Sequence, residues 1–150
     1  IMATTFTAPE TTSNSLFKPF PDGMIGVRET TWTTAAAWVI NDVVQMVKVF
    51  KGERVIDIEL LVETDADTGG SAAIILAVGD GTDPDRYITA SNIGRTGGFA
   101  RLGDGLATAA LVAPARHTYT ADDTIDLKVT AAPQTGVAVV NVTLRVIVTG

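Results

Sequence analysis

A chain of 150 residues with 46% hydrophobic and 19% charged residues is sized for one domain and can bury a core without covalent staples. It contains no cysteine, which excludes disulfides, thiolate metal sites and cysteine nucleophiles. Its formal net charge of −6 would repel phosphate backbones and anionic lipid, so direct nucleic-acid and membrane partners are not expected.

Residues 1–22 are rich in Thr, Ser and Pro and show no hydrophobic period. They read as an extended N-terminal arm preceding a β domain over 23–150. Within the arm, Leu16, Phe17 and Phe20 form an apolar cluster large enough to dock, and they are the expected contact with another subunit. A strap across the chain's own domain is the plainer reading of the same segment.

From Met24 onward the pattern has a period of two, as in strands buried on one face. The stretch Thr33–Ile40 is Ala-rich and compatible with a strand or a short helical turn, with strand preferred. Over Asn41–Phe50 the β-branched content predicts a strand, but two inward faces compete: Val43, Val47 and Val49 against Val44, Met46 and Phe50. The segment Arg54–Glu63 is the clearest strand, with Ile56, Ile58, Leu60 and Val62 on one face and Asp57, Glu59 and Glu63 on the other.

Ala72–Val78 is apolar on both faces, as expected of a strand inside a sheet or under a subunit contact. Thr124–Ala131 sets Ile125, Leu127, Val129 and Ala131 against Asp126, Lys128 and Thr130. The last strand sets Val140, Val142, Leu144, Val146 and Val148 against Asn141, Thr143, Arg145 and Thr149. Ala132–Gly136 between them suits a hairpin, with Gly136 supplying a positive φ. Turn chemistry fills Asp65–Gly70, Gly79–Asp85 and Gly94–Gly105. Eight or more strands with no long helical pattern predict an all-β fold: a two-sheet antiparallel β-sandwich, jelly-roll-like, with the N-terminal arm outside it.

No constellation for catalysis is found. The single histidine, His117, has no serine in a nucleophile-elbow pattern to act on. The carboxylates Asp65 and Asp67, Asp80, Asp83 and Asp85, and Asp122 and Asp123 stand where turns use Asp for local capping. Asp80, Asp83 and Asp85 could also offer oxygen ligands to Ca²⁺, but without EF-hand spacing, and no metal or cofactor is expected. Gly94–Gly98 lacks the Lys-Ser/Thr of a phosphate loop. The aromatics Trp32, Trp38, Tyr87, Phe99 and Tyr119 are scattered, which favours core packing over a sugar-binding platform.

At VKVFKGERVIDIELLVETDADTGG (Val47–Gly70), LAVGDGTDPDRYI (Leu76–Ile88) and YTADDTIDLKVTAAPQTG (Tyr119–Gly136), the chain resembles small virion proteins of tailed bacteriophages, of the head decoration or cement type. The resemblance implies a non-enzymatic β-sandwich on the outer capsid surface of the virion. Its partners would be the major capsid protein, whose neighbouring subunits it fastens, and further copies of itself in a homotrimer. The alternative is a tail, neck or fibre-associated sandwich that binds a receptor or a carbohydrate.

Overall fold

The computed structural model describes residues 3–8, 24–105 and 117–150. These residues form nine strands and one 3-10 turn, Ile93–Arg95. In chain order the strands are β1 (Thr5–Thr7), β2 (Ile25–Thr33), β3 (Val43–Val49), β4 (Arg54–Val62), β5 (Ile75–Asp80), β6 (Ile88–Ser91), β7 (Gly98–Arg101), β8 (Asp123–Ala131) and β9 (Asn141–Thr149). They build a five-stranded sheet in the order β1-β3-β8-β5-β6 and a four-stranded sheet in the order β2-β9-β4-β7.

Within these sheets β2 pairs β9, β3 pairs β8, β4 pairs β7 and β5 pairs β6, all antiparallel. Those pairings are the successive rungs of one long ribbon folded back on itself at the β5–β6 turn and wrapped around a core. The predicted jelly-roll-like sandwich is therefore the fold. β1 stands outside the ribbon and adds to the edge of the five-stranded sheet, parallel to β3.

The inner faces are apolar because the registers align apolar residues. Val55, Ile58, Leu60 and Val62 of β4 lie opposite Val148, Val146, Leu144 and Val142 of β9. All eight are buried, together with Val44, Met46, Leu76, Val78, Ile125, Leu127 and Val129 from the facing sheet. Removing each such side chain from water is worth about 1.5–3 kcal/mol, so this layer is the main source of stability.

Two sequence expectations change for one physical reason, a β-bulge. In β3 the pairing steps from Gln45↔Asp126 to Val47↔Ile125, leaving Met46 as the extra residue. Val44 and Met46 are buried before the step and Val47 and Val49 after it, so both competing faces are used in turn. In β4 the register steps between Val55 and Asp57, and Ile56 is the extra residue. Ile56 is consequently only half-buried, and Val55 takes the inward place expected for it.

The connection at Ala132–Gly136 is not a hairpin, since β8 and β9 lie in different sheets and the chain crosses between them. Gly136 does not have a positive φ. It is small because a Cβ there would stand 2.8 Å from the Cβ of Ala37. Residues 34–42 form neither strand nor helix. They make a loop that turns at Asn41 (φ 68°), held by the buried Asp42 carboxylate, which accepts from the Val39 N–H at 2.9 Å. The same carboxylate accepts from the Thr4 N–H at 2.8 Å and so fixes the entry to β1. Phe6 of β1 packs on Trp32 at 5.2 Å between ring centroids, and Trp32 stacks on the buried Trp38. Of the expected arm, residues 3–8 thus lie on the domain itself.

Ala72–Val78 meets its expectation of an interior position. Its strand, β5, runs between β8 and β6, with Ile74, Leu76, Ala77 and Val78 all fully buried.

Candidate functional site

The acidic loops act as clasps. Asp67 is buried, and its carboxylate accepts five backbone N–H groups: Gly69 and Thr135 on Oδ1, and Ala73, Ile74 and Gln134 on Oδ2, at 2.6 to 3.2 Å. Burial alone would raise its pKa, but the donors from Thr135, Ala73, Gln134 and Gly69 outweigh it and hold the group well below the usual carboxylate range. One side chain therefore joins the Asp65–Gly70 turn to the β8–β9 crossover.

Asp80, at the end of β5, is equally occupied. Its Oδ1 accepts the N–H groups of Thr82 and Asp83 at 3.0 and 2.9 Å, and its Oδ2 accepts Arg86 Nε at 2.6 Å and the Tyr119 hydroxyl at 3.1 Å. Burial works against the charge of Asp80, and the Arg86 guanidinium and the loop amides lower its pKa despite it. Tyr119 shares a 2.7 Å hydrogen bond with Tyr87, and burial pushes the Tyr87 phenol up to about 12. This network closes one wall of a surface recess of about 280 Å³ that also includes Thr82, His117, Thr120, Asp122 and Asp123.

His117 presents its ring edge-on to Tyr119 at 4.8 Å. Among the described residues no three acidic or imidazole side chains gather as metal ligands, and the oxygens of Asp80 face protein donors. What these groups do is fix the fold-back of the ribbon at the β5–β6 turn.

The two outer faces of the sandwich differ. On the five-stranded sheet, loop 83–85 lies directly on Gly79, where a Cβ would meet Asp83 O at 2.1 Å. Beside it in register is Asp126, buried, with an Oδ1 that has no hydrogen-bond partner among the described residues. Desolvation, with the negative charges of Asp123 and Asp80 behind it, raises the Asp126 pKa to about 6 against the counter-effect of Thr124.

Among the described residues, nothing lies over the outer face of the four-stranded sheet. The registers align Glu29, Arg145, Glu59 and Arg101 in one row across β2, β9, β4 and β7. Arg145 meets Glu29 at 2.8 Å and Glu59 at 3.6 Å, and Arg101 meets Glu59 at 3.6 Å. Exposed apolar residues flank the row, with Ile25 and Val27 on one side and Leu61 and Phe99 on the other.

The apolar arm cluster Leu16, Phe17 and Phe20 lies outside the described residues. Of the five aromatics assigned to the core, Trp38, Tyr87 and Tyr119 are buried and Trp32 is half-buried, but Phe99 is 60% exposed. It projects from the outward side of edge strand β7, with Arg101 over its ring. The charge row does not show in the sequence as a unit. Its members are legible as outward residues of alternating strands, while their alignment depends on strand order.

No protein-family model matches the chain, and no curated protein matches it in sequence. In fold it is similar to chains of two solved phage capsids. A chain from the capsid of Ralstonia phage GP4 superposes with a TM-score of 0.78 at 22% identity, over 97% of each chain. A chain from the capsid asymmetric unit of cyanophage Pam1 superposes with a TM-score of 0.70, also at 22% identity, over 94% of this chain and 98% of that one. At this identity the likeness is one of fold.

Proposed function

We propose that the chain is a structural virion protein of a tailed phage, a decoration or cement subunit that binds the outer capsid as a homotrimer and fastens neighbouring major capsid subunits. The observation that carries this reading is the end-to-end fold correspondence with chains from two phage capsids, over 97% of both chains in the closer superposition of the two. Two features of the chain agree with it. Two of the carboxylates considered as candidate chemistry, Asp67 and Asp80, are consumed in holding turns, and the net charge of −6 suits a protein kept off packaged nucleic acid.

A protein of this kind needs no reaction. By binding the assembled lattice and not its separated subunits, it stabilises the lattice by an amount set by free concentration over affinity. Many copies and several contacts per copy multiply the effect.

The apolar residues Leu16, Phe17 and Phe20 are proposed as the contact with the capsid or a neighbouring subunit. Because β1 belongs to the domain's own sheet, the informative variant keeps residues 3–8 and replaces all three apolar residues by Ser. Purified protein is mixed with expanded capsids, and sedimentation and capsid melting are followed. Saturable binding at a fixed ratio per capsomer with a raised melting temperature supports the reading, and loss of occupancy in the triple variant supports the arm contact. Absence of binding at high protein concentration overturns the capsid assignment in favour of a tail, neck or fibre position. Unchanged occupancy of the triple variant removes the arm contact.

A further inference from the structure

We propose that the outer face of the four-stranded sheet is a two-fold interface with a second copy of this chain. The observation is the charge row on that face. Read from β2 to β7 it runs Glu29, Arg145, Glu59, Arg101, so the signs alternate and the two ends are opposite.

Such a row complements itself under one symmetry only. A two-fold axis along the strands, between β9 and β4, stacks two copies face to face and reverses the order of the row. Glu29 of one copy then faces Arg101 of the other, and Arg145 faces Glu59, so each acid meets a base twice over. An axis across the strands would place Glu29 on Glu29 and Arg145 on Arg145. The permitted axis keeps the strands of the two sheets nearly aligned, the usual geometry of face-to-face sheet packing. Closed two-fold contacts are also the commonest way for a chain to meet a copy of itself.

Exposure points the same way. Arg145, Glu29 and Arg101 have side chains 47–60% exposed, and Phe99 and Leu61 stand exposed beside them. The opposite face of the sandwich has its own loop lying on Gly79, whereas the described residues put nothing over this one. Three strands of nine residues and one of four, about 5 Å apart, offer about 500 Å² per copy. That falls below the ~800 Å² per partner of a standard stable interface, so the pair is reversible and weakened by salt. It does not rest on the capsid reading.

Glu29 and Arg101 lie on opposite edge strands, three strand spacings or about 14 Å apart, too far to interact within one chain. A direct contact between them is therefore one between copies, and the rescue on mixing separates it from any effect relayed along the row through Arg145 and Glu59. Full-length protein, Glu29→Arg and Arg101→Glu are each examined by sedimentation equilibrium at low and high salt, alone and as an equimolar mixture of the two variants. The expected result is a salt-sensitive dimer for the unmodified chain and at least about tenfold weaker self-association for each variant alone. In the mixture the base introduced on one copy faces the acid introduced on the other, and the association returns.

A second measurement covers variants that fold poorly. Since the chain has no cysteine, Glu29→Cys and Arg101→Cys chains can be mixed and oxidised, and covalent dimers are expected only from the mixture. A monomer at all concentrations, dimers indifferent to both substitutions, no rescue on mixing, or crosslinking of Glu29→Cys with itself would each overturn the proposal. So would loss of capsid binding by Glu29→Arg from an unmodified chain that is monomeric, which would assign the face to the capsid.

Discussion

Replacing Asp126 by Asn should make the protein more stable at neutral pH, and the gain should disappear in acid. Asp126 sits in β8 between Gln45 of β3 and Gly79 of β5, with its Oδ1 buried and unpartnered among the described residues. An ionised carboxylate there loses hydration without a cation to replace it, and its pKa rises from 3.8 to about 6. The folded state therefore binds its proton more tightly than the unfolded chain does. Between those two values the native form holds more protons, so this group's contribution falls as pH rises and levels off above the folded pKa. A shift of about two units corresponds to about 3 kcal/mol of lost stability at pH 8. Asn keeps the shape and carries no charge at any pH, so it should recover about 2–3 kcal/mol, or about 5–10 °C in Tm for a domain of this size. Urea denaturation of both proteins from pH 3.5 to 8 provides the assay. The difference should be near zero at the acid end and open between pH 4 and 6.5. A difference independent of pH, or a less stable variant at pH 8, would refute the desolvation argument.

Asp67 should behave in the opposite sense: Asp67→Asn removes an acceptor of five backbone N–H groups and should destabilise the protein at neutral pH. Because its folded pKa lies well below the ordinary 3.8, that stabilisation is complete above about pH 5, begins to fall near pH 4 and is lost progressively as pH drops towards the folded pKa. Denaturation midpoints of the two proteins should therefore converge in acid, and hydrogen exchange at Ala73, Gln134 and Thr135 should accelerate in the variant. Glu53, fully buried, is held by Arg28 through two 2.6 Å hydrogen bonds and by the Phe50 N–H at 2.9 Å. Arg28→Met strands that charge and should cost about 3–5 kcal/mol, whereas Arg28→Met with Glu53→Met should cost clearly less than the sum of the single changes. Additive losses in a denaturant double-mutant cycle would show that the two side chains act separately.

The sequence was legible wherever one strand could be judged alone. β8 and β9 carry an uninterrupted period of two, and their inward residues, from Ile125 to Val129 and from Val142 to Val148, are buried; the outward Asp126 is buried as well, which the period does not show. Legibility failed where a residue's role is set by another strand. Nothing within Ala132–Gly136 distinguishes a hairpin from a crossover, because the choice depends on which sheet receives β9, and that follows from its pairing with β2 and β4. Asp67 looked like an ordinary turn acid since three of its five donors, at Gly69, Ala73 and Ile74, are local, while those that make it a clasp come from Gln134 and Thr135.

The bulge at Ile56 shows how far such a hidden feature reaches. From the Arg54↔Thr149 and Val55↔Val148 end of β4, an unbroken register would set Glu59 opposite Leu144, an outward acid beside an inward leucine. Partners across an antiparallel pair share a face, so that register would bury Glu59 or expose Leu144. The extra residue moves the pairing by one, so Leu60 meets Leu144 inside and Glu59 meets Arg145 outside. The core and the outward charge row are thus set by the same single-residue step. Its only trace in the sequence is Val55 and Ile56 standing side by side, two apolar neighbours of which a regular strand can bury just one on a given face.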